Sequence, residues 1–81
     1  MNLSLLTSLA EAHGPSGRED RVRAIVEPEL RVLCDTTERD PLGGVIARRD
    51  ATGAGPRLML AAHMDEIGLM VAHVDEHGFV R

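Results

Sequence analysis

Leu58-Met59-Leu60-Ala61-Ala62 is an unbroken apolar run that passes, with no turn, into His63-Met64-Asp65-Glu66. A strand of that kind has no polar face to give to water. It must be covered on both sides, which is the position of a central strand in an α/β layer. The residues before it read as the helices of such a layer. Leu5, Leu6, Leu9 and Ala12 share one face at helical spacing, with Asn2 placed to cap the first turn. Gly14 followed by Pro15 stops this helix at a residue tolerant of left-handed geometry. Ser16 and Glu19 then stand at capping-box spacing ahead of a second stripe, Val22, Ile25, Val26, Glu29, Leu30 and Leu33. This stripe predicts a helix of about four turns. Pro28 inside it removes a hydrogen bond and crowds the preceding turn, at a cost of ~3 kcal/mol. The expectation is one kinked helix; a break near Val26 with a restart at Pro28 is the alternative.

The period changes from Asp35 onward. Thr36 to Asp40 is β-compatible, Pro41-Leu42-Gly43-Gly44 is a turn, and Val45-Ile46-Ala47 is a short apolar strand. Asp50 to Pro56 reads as a hairpin connection into the central run. Ile67 to Val74 and Gly78 to Arg81 read as a strand pair around a turn at Asp75-Glu76-His77-Gly78.

Composition removes several functions. With 81 residues, 27% charged and 43% apolar, the chain is the size of one small soluble domain. Nine basic residues, all arginine, against thirteen acidic ones leave a net charge of −4, the wrong sign for a nucleic-acid or anionic-membrane binder. Cys34 is the only cysteine, so no disulfide framework exists. Phe79 is the only aromatic residue, which removes stacking platforms for bases or sugars. No apolar run approaches the ~18 residues of a membrane span. The opening MNLSLLTSLAEAHG lacks the basic start of a secretory signal, and polar residues interrupt it. A cytoplasmic location is the expectation.

Chemistry concentrates after the apolar run. In a strand, His63 and Asp65 point to one face, at the end where open α/β sheets place their ligands. A histidine that binds a divalent metal through one nitrogen usually has the other anchored by a carboxylate or carbonyl, which Asp65 would supply. The same pair also fits a solvated loop or a capped strand end, and spacing alone leaves both readings open. The other histidines add no clear second ligand: His13 precedes the Gly-Pro stop, His77 is at a turn tip, and His73 is on a strand of unassigned face. Glu66 is a candidate acid or base with no assigned partner. Cys34, beside Asp35, reads as structural, since a neighbouring carboxylate disfavours a thiolate. No nucleophile elbow, phosphate-binding loop or Cys-x-x-Cys is present.

The order of these motifs is more specific than any one of them. Gly14-Pro15-Ser16-Gly17 with Glu19, then Asp40-Pro41-Leu42-Gly43 with Ile46-Ala47, then Ala62-His63-Met64-Asp65-Glu66-Ile67-Gly68, then Gly78-Phe79-Val80-Arg81 resembles the N-terminal part of the glutamyl-aminopeptidase/tetrahedral aminopeptidase family of cytosolic two-metal exopeptidases. Some members carry endoglucanase or cellulase labels. The resemblance implies an α/β catalytic domain, a mixed sheet flanked by helices, with residues 1–66 its N-terminal part. It implies that 67–81 are the first strands of an inserted β-rich oligomerisation domain. It further implies two divalent metal ions, zinc or cobalt, in the full-length parent, peptide substrates, and a tetrahedral dodecamer. Carried over by position, His63 is a metal ligand and Asp65 the catalytic acidic residue that orients it. Met64, Glu66, Ile67 and Gly68 match the motif without an assigned role. Leu42-Gly43-Gly44 departs from the Leu-Gly-Asn frequent in relatives, which implies a changed turn. The family's other ligands and its general-base glutamate have no counterpart in these 81 residues. The expectation is therefore an N-terminal piece of a metal-dependent aminopeptidase that neither holds a stable metal centre nor catalyses alone.

Two other readings compete. A small assembly module could pair the edge formed by Ile67, Leu69, Val71 and 78–81 with a partner strand. A glucanase, as in the older labels, lacks both an aromatic sugar platform and an evident carboxylate pair across a cleft.

Overall fold

The structure, a computed structural model, describes residues 1–81 as two helices and a two-stranded antiparallel sheet, in the order α1 (Leu3–Glu11), α2 (Asp20–Leu33), β1 (Thr36–Arg39) and β2 (Val45–Arg48). The chain is α/β, as expected. Its strands, however, form one hairpin and no larger mixed sheet.

Asn2 caps α1 as expected: its Oδ1 accepts the Leu5 N–H at 3.0 Å. Leu5, Leu9 and Ala12 are the half-buried residues of the predicted face, whereas Leu6 lies outside it and is exposed. The helix ends at Ala12 in extended geometry, and Gly14 does not take the left-handed conformation expected of a stop signal. Gly14 is glycine for another reason. A Cβ built there would lie 2.7 Å from Cγ2 of Val22, so the α1–α2 loop packs backbone against side chain. The expected capping box is also absent. Glu19 is itself the N-cap residue of α2, and its carboxylate accepts from the Gly17 N–H at 2.9 Å across the tight loop.

α2 runs through Pro28 as one element, and Cys34 closes it by donating its N–H to the Leu30 carbonyl at 2.9 Å. Val22 is buried, and Ile25, Val26 and Leu30 are half-buried, as their spacing requires; Leu33 and Glu29 are exposed. The unexpected buried residues are charged. Arg23 and Glu27, one helical turn apart, lie under the hairpin. Arg23 donates from Nε to the Gly43 carbonyl at 2.8 Å and from Nη1 to Asp20 at 2.7 Å. Glu27 receives both Nε and Nη2 of Arg39 in a bidentate pair, with Arg31 a further 3.5 Å contact. The Arg39 hydrogen bond holds the Glu27 carboxyl below its usual range, and Arg39 is held above its own by the same contact.

The hairpin forms where the sequence places it, with Thr37 opposite Ala47 and Arg39 opposite Val45. Asp40 builds its turn: Oδ1 accepts from Leu42 N–H at 2.9 Å and Gly44 N–H at 2.8 Å, while Gly43 takes φ +92°. At the open end, Asp35 accepts the Asp50 N–H at 2.6 Å.

Beyond β2 the expectations fail in part. Asp50 to Pro56 does not close a hairpin, and Leu58–Ala62 is not a strand: Leu58, Met59 and Leu60 are 85, 85 and 88% exposed. A central strand needs neighbours on both edges to take its N–H and C=O groups, and no segment of this chain lies alongside it. The radius of gyration of 17.2 Å, against about 12 Å for a compact chain of this length, measures the same extension. The last pair is reduced to a bridge between Val74 and Val80. Its expected turn is present, with Asp75 Oδ1 accepting from His77 and Phe79 and Gly78 at φ +84°.

Two outcomes follow from the clamp and the turn. Because the folded pKa of Glu27 is depressed, its stabilising contribution is complete at neutral pH. It is lost as the pH falls below the ordinary carboxylate range and through the lowered value. The urea midpoint of the wild-type chain should therefore fall over that acid interval, and that of Glu27→Gln should fall less. Asp40→Ala removes both turn acceptors and should cost about 1 kcal/mol, with faster amide exchange at Leu42 and Gly44.

Candidate functional site

His63 and Asp65, singled out by spacing, are brought into contact. His63 Nδ1 lies 2.8 Å from the Asp65 carbonyl oxygen and 3.1 Å from its Oδ1. Both partners are acceptors when the carboxylate is ionised, so in a neutral ring the proton sits on Nδ1 and the Nε2 lone pair is free. The His63 side chain is 84% exposed, so nothing but this contact orients it. The geometry is not that of a regular strand. The segment turns enough for the ring to reach back to the carbonyl two residues on.

The segment is docked on the α1–α2 loop. The Glu66 N–H donates to the Gly14 carbonyl at 2.9 Å, and Gly68 approaches Pro15 closely enough that an added Cβ would lie 3.2 Å from the proline Cβ. A shallow recess of about 250 Å³ runs along this seam, lined by His13, Gly14, Pro15, Glu66, Ile67, Gly68 and Leu69. Met64 and Asp65 are the half-buried residues of the motif; Glu66, Ile67 and Gly68 are exposed.

His73, His77 and Cys34 take no part in this seam. His77 sits in the Asp75 turn, as its neighbours indicated, and the His73 N–H donates to the Arg81 carbonyl. Cys34 is a free, half-buried thiol at the helix end. No three His, Cys, Asp or Glu side chains converge at any point in the chain. For a divalent ion, the donor set fits at one position only: His63 Nε2, with Asp65 behind the ring as orienter.

Gly14 is the site residue that motif reasoning misplaced. The only signal for it was its place in Gly14-Pro15-Ser16-Gly17, which turn chemistry alone explained. Nothing local announces that its carbonyl is taken by a residue more than fifty positions later.

The sequence model of the M42 glutamyl aminopeptidase family matches residues 43–81, the part that holds β2 and the His63–Asp65 pair. Relatives extend the match to the helices. "Putative aminopeptidase FrvX" of Escherichia coli K12 is 42% identical over 81 residues, 100% of this chain and 22% of that protein. "Lysyl aminopeptidase" of Pyrococcus furiosus is 42% identical over 78 residues, 95% of this chain and 22% of that protein. "Glutamyl aminopeptidase" of Lactococcus lactis is 36% identical over 75 residues, 91% of this chain and 21% of that protein. The chain thus spans about a fifth of the length of the curated relatives it matches. Over these residues, which correspond to an N-terminal portion of its relatives, the chain is similar to the M42 glutamyl aminopeptidase family.

Proposed function

We propose that this segment supplies one metal ligand and its orienting carboxylate to a metal-dependent aminopeptidase of which it is the N-terminal part. The observation that carries this reading is the His63–Asp65 contact: the ring is anchored through Nδ1, and Nε2 is left exposed as a donor. An imidazole held in this way is the arrangement that raises ligand basicity and fixes ring direction at divalent sites. A bound zinc or cobalt pair would supply Lewis acidity and an acidified water for hydrolysis of an N-terminal peptide bond. The role of this chain is narrower. His63 presents Nε2, Asp65 holds the proton on Nδ1, and the α1–α2 loop holds the segment that carries both.

Similarity to the family and the relatives' names support an aminopeptidase, that is, a hydrolase. Two-metal chemistry, cytoplasmic location and assembly into a tetrahedral dodecamer extend the same reading. So does the assignment of 67–81 to the start of an inserted β-rich domain, to which the Val74–Val80 bridge is the matching local feature. No helix is long and apolar enough to cross a membrane. One histidine binds a divalent ion weakly, and no third donor stands near it, so the 81-residue chain by itself is read as inactive.

In the protein that carries this segment at the length of its relatives, a chelator should abolish release of N-terminal residues from peptides, and zinc or cobalt should restore it. Asp65→Asn should lower metal affinity or activity by about 10- to 100-fold, and His63→Ala by more. Turnover unaffected by chelator would overturn the reading. For the 81-residue chain, elemental analysis after dialysis against zinc should find well under one ion per chain.

A further inference from the structure

We infer that Gly14 is a positioning residue for His63, acting through the peptide group that joins Asp65 to Glu66. This rests on the proposed role of His63. That peptide is engaged on both sides. Its N–H donates to the Gly14 carbonyl at 2.9 Å, and its C=O accepts from His63 Nδ1 at 2.8 Å. The groups therefore form one chain: Gly14 C=O, Glu66 N–H, Asp65 C=O, His63 Nδ1–H. Each hydrogen bond polarises the shared amide in the sense that strengthens the other. Pinning the amide also fixes its plane, because a peptide group is rigid, and its oxygen is then aimed at the ring. His63 is otherwise free in solvent, so the direction of Nε2 is inherited from the α1–α2 loop.

Gly14 can do this only without a side chain. It is one of four buried residues, and it lies over Val22 of α2, with the Met64 carbonyl 3.6 Å from the point a Cβ would occupy. Its backbone is not in the left-handed region, so alanine is conformationally permitted there. The objection to alanine is steric, 2.7 Å to a methyl of a stiff, β-branched, buried residue. Relief requires either that Val22 move or that the loop lift away from α2 and carry its carbonyl off Glu66. Gly68 against Pro15 is a second contact of the same seam, on the far side of the motif.

The test uses nuclear magnetic resonance on the 81-residue chain and needs neither metal nor turnover, so its failure is distinct from failure of the aminopeptidase reading. In Gly14→Ala, the Glu66 amide should exchange about threefold to tenfold faster, as expected for one lost hydrogen bond. The ¹⁵N shifts of the neutral His63 ring should move from the Nδ1–H pattern toward those of free imidazole. Asp40 and Gly44 amides in the hairpin should stay as they are. Val22→Ala in the same background removes the clashing methyl and should return both signals to those of Val22→Ala alone. Unchanged Glu66 exchange and ring shifts in Gly14→Ala would overturn the inference, as would a double variant with an intact hairpin and no recovery. If Gly14→Ala loosens the hairpin as well, Gly68→Ala carries the test through the milder 3.2 Å contact. It should shift Glu66 and His63 in the same direction, and no shift there would overturn the inference too.

Discussion

The contact on which the folded half depends is the pairing of Glu27 with Arg39. A chain this short buries little of its apolar surface, and Val22 is its only buried apolar side chain. The hairpin is therefore docked on α2 by charge. Two groups one turn apart on the helix reach the two ends of β1's exit: Glu27 takes the guanidinium of Arg39, and Arg23 reaches the carbonyl of Gly43 in the turn. Both contacts are directional, so they specify register as well as attachment. A hairpin slipped by one residue would put Arg39 on the opposite face and leave the buried Glu27 with only the 3.5 Å contact of Arg31.

That clamp governs the site at one remove. It fixes α2, α2 presents Val22, and Val22 defines how closely the Gly14 backbone can sit. Gly14 in turn holds the Glu66 amide. The apolar and polar parts of the structure thus meet at one glycine: its missing side chain serves packing and its carbonyl serves the His63 segment. Pro15 extends the seam to Gly68, so the motif is held at Glu66 and Gly68, both on the C-terminal side of its histidine.

What could be read from the residues divides by the range of the interaction. The Asn2 cap, α2 through Pro28, the hairpin around Asp40 and the turn at Asp75 are all set by contacts within a few residues, and they form as the spacing indicates. The Ser16–Glu19 box was legible as a pattern but lost to a competing local bond, Gly17 N–H to Glu19. Arg23 and Glu27 were hidden because a period search counts apolar residues, and these two lie beside the stripe, where charge normally means solvent. The Leu58–Ala62 strand was misread for a different reason. Its apolar run states what the segment requires, which is cover on both faces, and that requirement is met by partners, not by the segment. The residues register the demand; this chain contains nothing that answers it.

The same division explains why the candidate site survives where the strand does not. His63 and Asp65 meet through a carbonyl two residues away, a contact that needs one turn of backbone and no sheet. Ring orientation is thus a local property, reinforced by a single long-range bond to Gly14. Coordination is not local, since a stable divalent site needs three or four donors converging on one point, and sequence-adjacent residues cannot supply them from a single extended segment. An enzyme built this way separates two tasks. On the proposed reading of His63 as a ligand, its tautomer and aim would be set early in the chain by a short motif, and the remaining donors would come from elsewhere in the fold. On that reading, orienting the histidine beforehand would lower the entropy lost when donors assemble around an ion, because part of the ring's rotation is already given up.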